Sequence, residues 1–269
     1  GFDVGFIEQN CRVLGLEREF TSVDTVALAR VLLPTLSKYK LNLVAKALGI
    51  SLENHHRAVD DAGATAEIFV KFVEMLKDQH IMNLKEMNKF GDRNVNAIRK
   101  MPTHHIILIA QNDIGRYNLY QLITASHMTY YARRPRIPKS LINEHREGII
   151  IGSACEAGEL YRAVLEKQSA QQIARLADFY DYYEIQPIGN DMFMLEDEKT
   201  PNINTEEDLR NVNREIVELG EKFGKPVVAT CDVHFLDPED EVYRRIIMAG
   251  KGFKDADNQA PLFLRTTDE

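Results

Sequence analysis

Apolar positions recur at helical intervals through the first part of the chain, at Val44 and Leu48 and again at Ala62, Ala66, Phe69, Val73 and Leu76. Residues 3–79 are therefore expected to form a helix-rich block. Residues 80–101 mix short apolar spots with Asn, Lys, Gly and Asp, as in Phe90-Gly91-Asp92-Arg93-Asn94, the composition of a connection between domains. Beyond Thr103 the pattern changes. Short apolar runs at 106–109, 148–152, 183–185 and 227–230 are each followed by a helical pattern, which reads as buried strands in βα units. One of the helices is bounded in advance: Thr205 caps an acidic first turn, and Gly224-Lys225-Pro226 follows Phe223.

In βα folds, chemistry gathers at the carboxyl ends of the strands. Polar or metal-competent residues flank the four runs here, at His105, Ser153-Ala154-Cys155, Gln186 and Cys231-Asp232-Val233-His234. With 44% apolar and 28% charged residues in 269, the chain can bury a substantial core and has room for two domains. A net charge of −8 argues against DNA held by a broad basic surface, though not against DNA handled through bound cations. The three cysteines, Cys11, Cys155 and Cys231, are odd in number and far apart, which suits a reducing cytoplasm better than a disulfide framework. No apolar stretch of about 18 residues is present to span a membrane. The start, Gly1-Phe2-Asp3-Val4-Gly5-Phe6, lacks an initiator Met and signal-peptide character, so the chain is expected to be an internal piece of something longer.

His55-His56-Arg57-Ala58-Val59-Asp60-Asp61-Ala62 places a histidine five residues before a carboxylate at the mouth of a helix. A magnesium-dependent nuclease needs such a pair, a carboxylate to hold the cation and an imidazole to take a proton from water. An acidic helix start beside an exposed loop histidine gives the same string. The string also resembles the third motif of the DEDDh proofreading exonucleases, His-x-Ala-x-x-Asp-Ala, at His56, Ala58, Asp61 and Ala62. Phe2-Asp3-Val4-Gly5-Phe6 is similar to that family's second motif. Ser22-Val23-Asp24-Thr25 and Tyr39-Lys40-Leu41-Asn42-Leu43 follow in the expected order. The resemblance implies His56 as general base, Asp61 as a metal ligand, Asp3 as a second carboxylate, and Mg²⁺ or Mn²⁺ as the cations. The family's first motif, Asp-x-Glu, would precede Gly1, so 1–269 alone is expected to be inactive as an exonuclease. His55 is one residue too far from Asp61 for the motif.

In the second half, alternation along an extended backbone would put Asp232 and His234 on one face, which is half of a metal site. A strand end with an Asp cap, a packing Cys155 and an incidental His105 would look the same. Together, His105 to Asn112, Gly152 to Leu160 and Ala229 to Asp240 resemble the later motifs of the PHP domain in bacterial replicative polymerases. Their order after the exonuclease motifs is similar to the PolC-type family, in which an exonuclease is inserted within the PHP domain. The resemblance implies an α/β chain, an RNase H-like exonuclease portion followed by a distorted (βα)₇ PHP barrel portion. It divides the chain into exonuclease 1–79, connection 80–101, PHP 102–258 and an approach to the polymerase core at 259–269. It also implies His105, Cys155, Asp232 and His234 as ligands of Zn²⁺, Mn²⁺ or Fe, mixed donors that suit those ions. The family's earlier ligands, and the polymerase carboxylates, would lie outside 1–269.

The implied function is a piece of a DNA-directed DNA polymerase in DNA replication, with proofreading at the primer 3′ end. The implied partners are DNA, the rest of the polymerase, the sliding clamp and other replisome subunits. A stand-alone PHP phosphoesterase and a non-catalytic PHP scaffold are the alternatives. Finally, Tyr130-Tyr131-Ala132-Arg133-Arg134-Pro135-Arg136-Ile137-Pro138-Lys139 combines aromatics with four cations. Arg133, Arg134 and Arg136 could meet phosphates there, or the segment could be a solvated loop.

Overall fold

The computed structural model describes residues 2–16, 22–52, 57–92, 94–197, 200–253 and 256–266, without the side chains of Phe2, Asp3, Glu8 and Asp92. Two compact units divide the chain, Gly1–Thr103 with Asn112–Gly148, and His104–Gln111 with Ile149–Glu269.

The first unit is helical. It contains α1 (Phe2–Val13), α2 (Thr25–Leu32), α3 (Leu41–Ala47), α4 (Ala58–Asp78), α5 (Leu84–Asp92), α6 (Val95–Ile98), α7 (Asp113–Met128) and α8 (Lys139–Glu144). Asp24 starts α2 by accepting the backbone N–H groups of Val26 at 2.8 Å and Ala27 at 3.2 Å, which satisfies donors that a helix start leaves open. The core joins Leu28, Ala29 and Leu32 of α2, Val44 and Ala45 of α3, and Ile68, Phe72 and Leu76 of α4. Residues 80–101 carry α5 and α6. Asn94 both caps α6 and donates to the Val31 carbonyl at 3.1 Å, tying this stretch to α2.

The periodicity located α4, but not its buried face. The structure buries Ala64, Ile68, Phe72 and Leu76, while Ala62, Ala66 and Phe69 face outward and Val73 is only half-buried. Apolar residues occur on more than one side of this helix, so two stripes of period 3.6 coexist in the sequence. The stripe carrying Ile68 and Phe72 faces α2 and α3 and becomes the core.

The second unit holds β1 (Ile107–Ala110), β2 (Ile149–Gly152), α9 (Glu159–Leu165), α10 (Ala170–Phe179), β3 (Tyr183–Ile185), α11 (Glu206–Phe223), β4 (Val227–Ala229) and α12 (Glu241–Gly250). The expected mixture of helix and strand is present, and the four apolar runs are strands. Their pairing is not uniformly parallel. β1 runs antiparallel to β2, with Ile107 opposite Gly152 and Ala110 opposite Ile149, whereas β3 and β4 are parallel, with Tyr183 opposite Val227. A parallel bridge from Gly152 to Tyr182 links β2 to β3.

Only the inner strands are buried as expected. β2 and β3 are largely covered, while Ile107 and Ile109 of β1 and Val228 of β4 remain exposed, because an outer strand has a neighbour on one side only. α11 packs on β3 and β4 and against α9, burying Leu209, Val212 and Ile216 of α11 and Leu160, Tyr161, Val164 and Leu165 of α9. α11 has the expected bounds. Thr205 and Asp208 cap each other reciprocally, and Gly224 ends the helix at φ 63°.

Candidate functional site

Antiparallel pairing builds the first half of the site. A residue just before β1 and one just after β2 meet at the same end of the pair, so His105 lies beside Cys155, with Nδ1 3.2 Å from Sγ. The His105 N–H also donates to the Ala157 carbonyl at 3.0 Å, which fixes the backbone next to the 153–158 turn. That turn is tight. Ala154 takes φ 62°, the left-handed region that an alanine rarely adopts, and the Gly158 N–H donates to the Cys155 carbonyl at 2.8 Å. A Cβ on Gly158 would lie 2.1 Å from the Ser153 oxygen, so only glycine closes the turn without displacing backbone.

The second half comes from the end of β4. The expectation that an extended backbone aligns Asp232 and His234 is corrected by the structure: β4 stops at Ala229, and Asp232 adopts φ 50°. Aspartate tolerates that conformation better than most residues. It redirects the chain, leaving His234 Nδ1 2.7 Å from the carbonyl oxygen of Asp232 and 4.0 Å from its carboxylate. A carbonyl only accepts, so Nδ1 carries the proton and Nε2 keeps its lone pair free for a metal or a proton.

Glu156 is the residue that sequence reading missed. A carboxylate oxygen of Glu156, Cys155 Sγ and a carboxylate oxygen of Asp232 lie within 4.8 Å of one another. Ligand bonds of about 2.0–2.3 Å bring such a group within small side-chain rotations of one shared ion. Glu156 directly follows Cys155 and stands three residues before Glu159, the first residue of α9, so in the sequence it reads as part of an acidic helix approach. Burial, with Glu156 and Asp232 nearby, pushes the Cys155 thiol up to about 12. Without a cation the sulfur is a neutral thiol; the thiolate that ligates metals needs positive charge beside it.

Behind these donors a polar network holds the strand ends. Glu184 is buried, accepts from the Tyr182 hydroxyl at 3.0 Å and the Thr230 hydroxyl at 3.1 Å, and donates its N–H to Ser153 Oγ at 2.9 Å. Asn190 donates to the Cys231 carbonyl at 3.0 Å. The network opens into a depression of about 560 Å³ lined by His105, Cys155, Tyr182, Glu184, Thr230 and Asp232. Deeper still, Tyr161 donates to Asp191 at 3.0 Å, and burial raises the Asp191 carboxyl to about 7. The other Asp191 oxygen, Oδ1, has no hydrogen-bond partner among the described residues.

In the first unit, Asp61 lies half-buried in the first turn of α4, its N–H donating to the Arg57 carbonyl at 2.9 Å. It borders a cleft shared with Thr25, Tyr39, Ala58 and Thr65. His55 and His56 lie outside the described residues, and Asp3 is placed in α1 without its side chain. Arg133 and Arg134 are exposed; Arg136 is half-buried, its guanidinium donating to the carbonyls of Met101 and Ala132, which makes it a brace. The three cysteines are free thiols. No described helix is long and apolar enough to cross a membrane.

Two family models match the chain. The PHP domain model covers residues 37–196, more than half of it, and includes His105, Cys155 and Glu156 but ends before Asp232 and His234. The exonuclease model covers residues 1–69, and so Asp3, His56 and Asp61. Among curated proteins, DNA polymerase III PolC-type from Clostridium perfringens is 56% identical over 269 residues, all of this chain and 18% of the relative. The protein of that description from Caldanaerobacter subterraneus is 47% identical over 268 residues, covering 19% of the relative. The one from Thermotoga maritima is 43% identical over 258 residues, 96% of this chain and 18% of the relative. The chain thus spans about a fifth of the length of these relatives. It belongs to the PHP domain family, and its exonuclease match, which overlaps the PHP match over residues 37–69, together with the whole-chain similarity groups it with the PolC-type DNA polymerase III proteins.

Proposed function

We propose that this chain works inside a PolC-type replicative DNA polymerase, where residues 102–258 carry the metal site of a PHP domain and residues 1–79 carry part of a proofreading 3′→5′ exonuclease. The observation that carries the reading is the convergence of Cys155, Glu156 and Asp232, flanked by the imidazoles of His105 and His234. Sulfur, nitrogen and carboxylate donors together suit Zn²⁺, Mn²⁺ or Fe. A bound cation would polarise a phosphoester oxygen and acidify a water. The chain's own contribution is positional. Asp232 and Glu156 would offset the cation's charge, His234 would keep Nε2 free while its Nδ1 faces the Asp232 carbonyl, and the Glu184 network would keep the turns after β2 and β4 at a fixed separation.

For the exonuclease, the reading assigns Asp61 and Asp3 to hold Mg²⁺ or Mn²⁺ and His56 to take the proton from the attacking water. It is supported by the exonuclease match across all three residues. An RNase H-like exonuclease and a (βα)₇ PHP barrel are the complete folds to which these portions would belong. The primer 3′ end, the sliding clamp and the other replisome subunits are the partners that follow from the PolC likeness.

Two measurements test the proposal. Titration with Co²⁺ should give thiolate charge-transfer absorption that Asp232→Asn weakens; no absorption with the wild type would leave the PHP portion a scaffold. Nucleotide release from 5′-labelled single-stranded DNA with Mg²⁺ or Mn²⁺, measured on a full-length PolC-type polymerase that carries this segment, should fall in Asp61→Ala. Equal release by the wild-type and Asp61→Ala polymerases would remove Asp61 from the site.

A further inference from the structure

Neither metal site uses the outer face of α7 or the turn that follows it, yet the two form one surface. Gly115, Leu122 and Ser126 are buried on the inner side of α7. On the other side, Tyr117, Tyr120, Thr124 and His127 are exposed at spacings of three and four, and Tyr131 follows four residues later. Tyr117 is 63% and Tyr120 60% exposed, high values for aromatic rings, which ordinarily bury most of their area. Separations of three and four residues put successive side chains about 4.5–6 Å apart along the helix. The His127 ring stacks on Tyr131 with centroids 6.1 Å apart and planes 21° from parallel.

The turn after α7 is held from within. The Ala132 N–H donates to the Arg134 carbonyl at 3.1 Å, the Tyr131 hydroxyl donates to the Arg133 carbonyl at 3.2 Å, and Arg136 braces the inner side. Arg133 takes φ 66°, and its side chain, like that of Arg134, is exposed. From Asp113 to Lys139 there are five cationic side chains and one carboxylate, in a chain whose net charge is −8. That carboxylate, Asp113, is already paired with Arg116 at 3.1 Å.

We propose that the outer face of α7 and the 132–134 turn bind single-stranded DNA, with Tyr117, Tyr120 and Tyr131 as stacking platforms and Arg133 and Arg134 on the phosphates. Rings in a row beside unshared cations are what a single strand uses, because its bases are free to stack and each contributes about 1–3 kcal/mol by doing so. A duplex keeps its bases stacked and would leave the tyrosines idle. A protein partner would use the tyrosines too, but would have to bring carboxylates to the arginines. The inference deepens the DNA reading above without using either metal site, so its assay runs in EDTA, where failure of the metal assignments has no effect.

The test is fluorescence anisotropy of a labelled oligo-dT of 15 nucleotides with the chain, at two salt concentrations. Tyr117→Ala with Tyr120→Ala should weaken binding about tenfold or more at an unchanged salt slope. Arg133→Ala with Arg134→Ala should weaken it and flatten the slope of log affinity against log salt by about 0.7 per lost contact, while the paired Lys substitutions restore the slope. All these positions are exposed, so circular dichroism should report unchanged folding. Wild-type affinity in both Ala pairs overturns the proposal. So does absence of wild-type binding, and if the tyrosine pair then alters self-association in sedimentation, the face is a protein interface.

Discussion

The two candidate sites are built in opposite ways. Asp61 sits in one short motif at the mouth of one helix, and α4 is held by an apolar core of Ile68, Phe72 and Leu76 against α2 and α3. The PHP-side candidate brings Cys155 and Glu156 to Asp232, with His105 beside Cys155 and His234 beside Asp232, from three separate stretches of chain held by hydrogen-bonded polar groups around Glu184 and Asn190. Apolar packing sets where a helix lies, but needs little precision at its first turn. A site shared between strand ends needs its turns fixed residue by residue, and polar bonds with defined direction supply that.

The contrast can be broken by exchanging the two kinds of damage. Phe72 is fully buried, so Phe72→Ala should cost about 3–5 kcal/mol in urea unfolding while leaving Co²⁺ absorption at the other site unchanged in the surviving folded fraction. Asp232→Asn should do the reverse, lowering metal affinity about 100-fold in competition with a chelator at nearly unchanged apo stability. Asparagine is the informative replacement because it tolerates the left-handed backbone at φ 50°. If Asp232→Asn instead unfolded the protein, the site would be part of the core and the distinction would fall.

A smaller effect sharpens the polar side of the comparison. Burial raises the folded-state pKa of Asp191 to about 7, above its ordinary value of 3.8. Folding therefore favours the protonated form. The stability associated with it is complete below about pH 4 and is lost as pH rises through about 7, by at most about 1.4 kcal/mol per pH unit. Asp191→Asn should flatten the fall in urea midpoint between pH 5 and 7; an unchanged profile would show that the carboxyl is ionised in the folded state. Smallest of all, Thr205→Ala removes one side of the α11 capping box and should cost about 1 kcal/mol, with no change in metal affinity.

Much of this was legible before the structure. The four strand runs and the capped helix after Thr205 were readable, because short apolar runs and caps are local features. The assignment of His105, Cys155, Asp232 and His234 as ligands came from family resemblance, and the expected same-face alternation of Asp232 and His234 gave way to a left-handed turn. Glu156 was missed because nothing in the order Cys155-Glu156-Ala157 distinguishes a ligand from an acidic helix approach. The buried face of α4 was misjudged because two apolar stripes of equal period run along it.

The sequence by itself determined the four strand runs, the helices α4 and α11 and the residue types at the strand ends, since these follow from propensity and spacing along the chain, whereas α5 and α6 formed in a stretch that reads as a connection. The tertiary structure alone decided the antiparallel direction of β1 against β2, the stripe of α4 that enters the core, and the meeting of Glu156 with Asp232. Each of those depends on what lies opposite in space, and local periodicity carries no term for a partner many residues away.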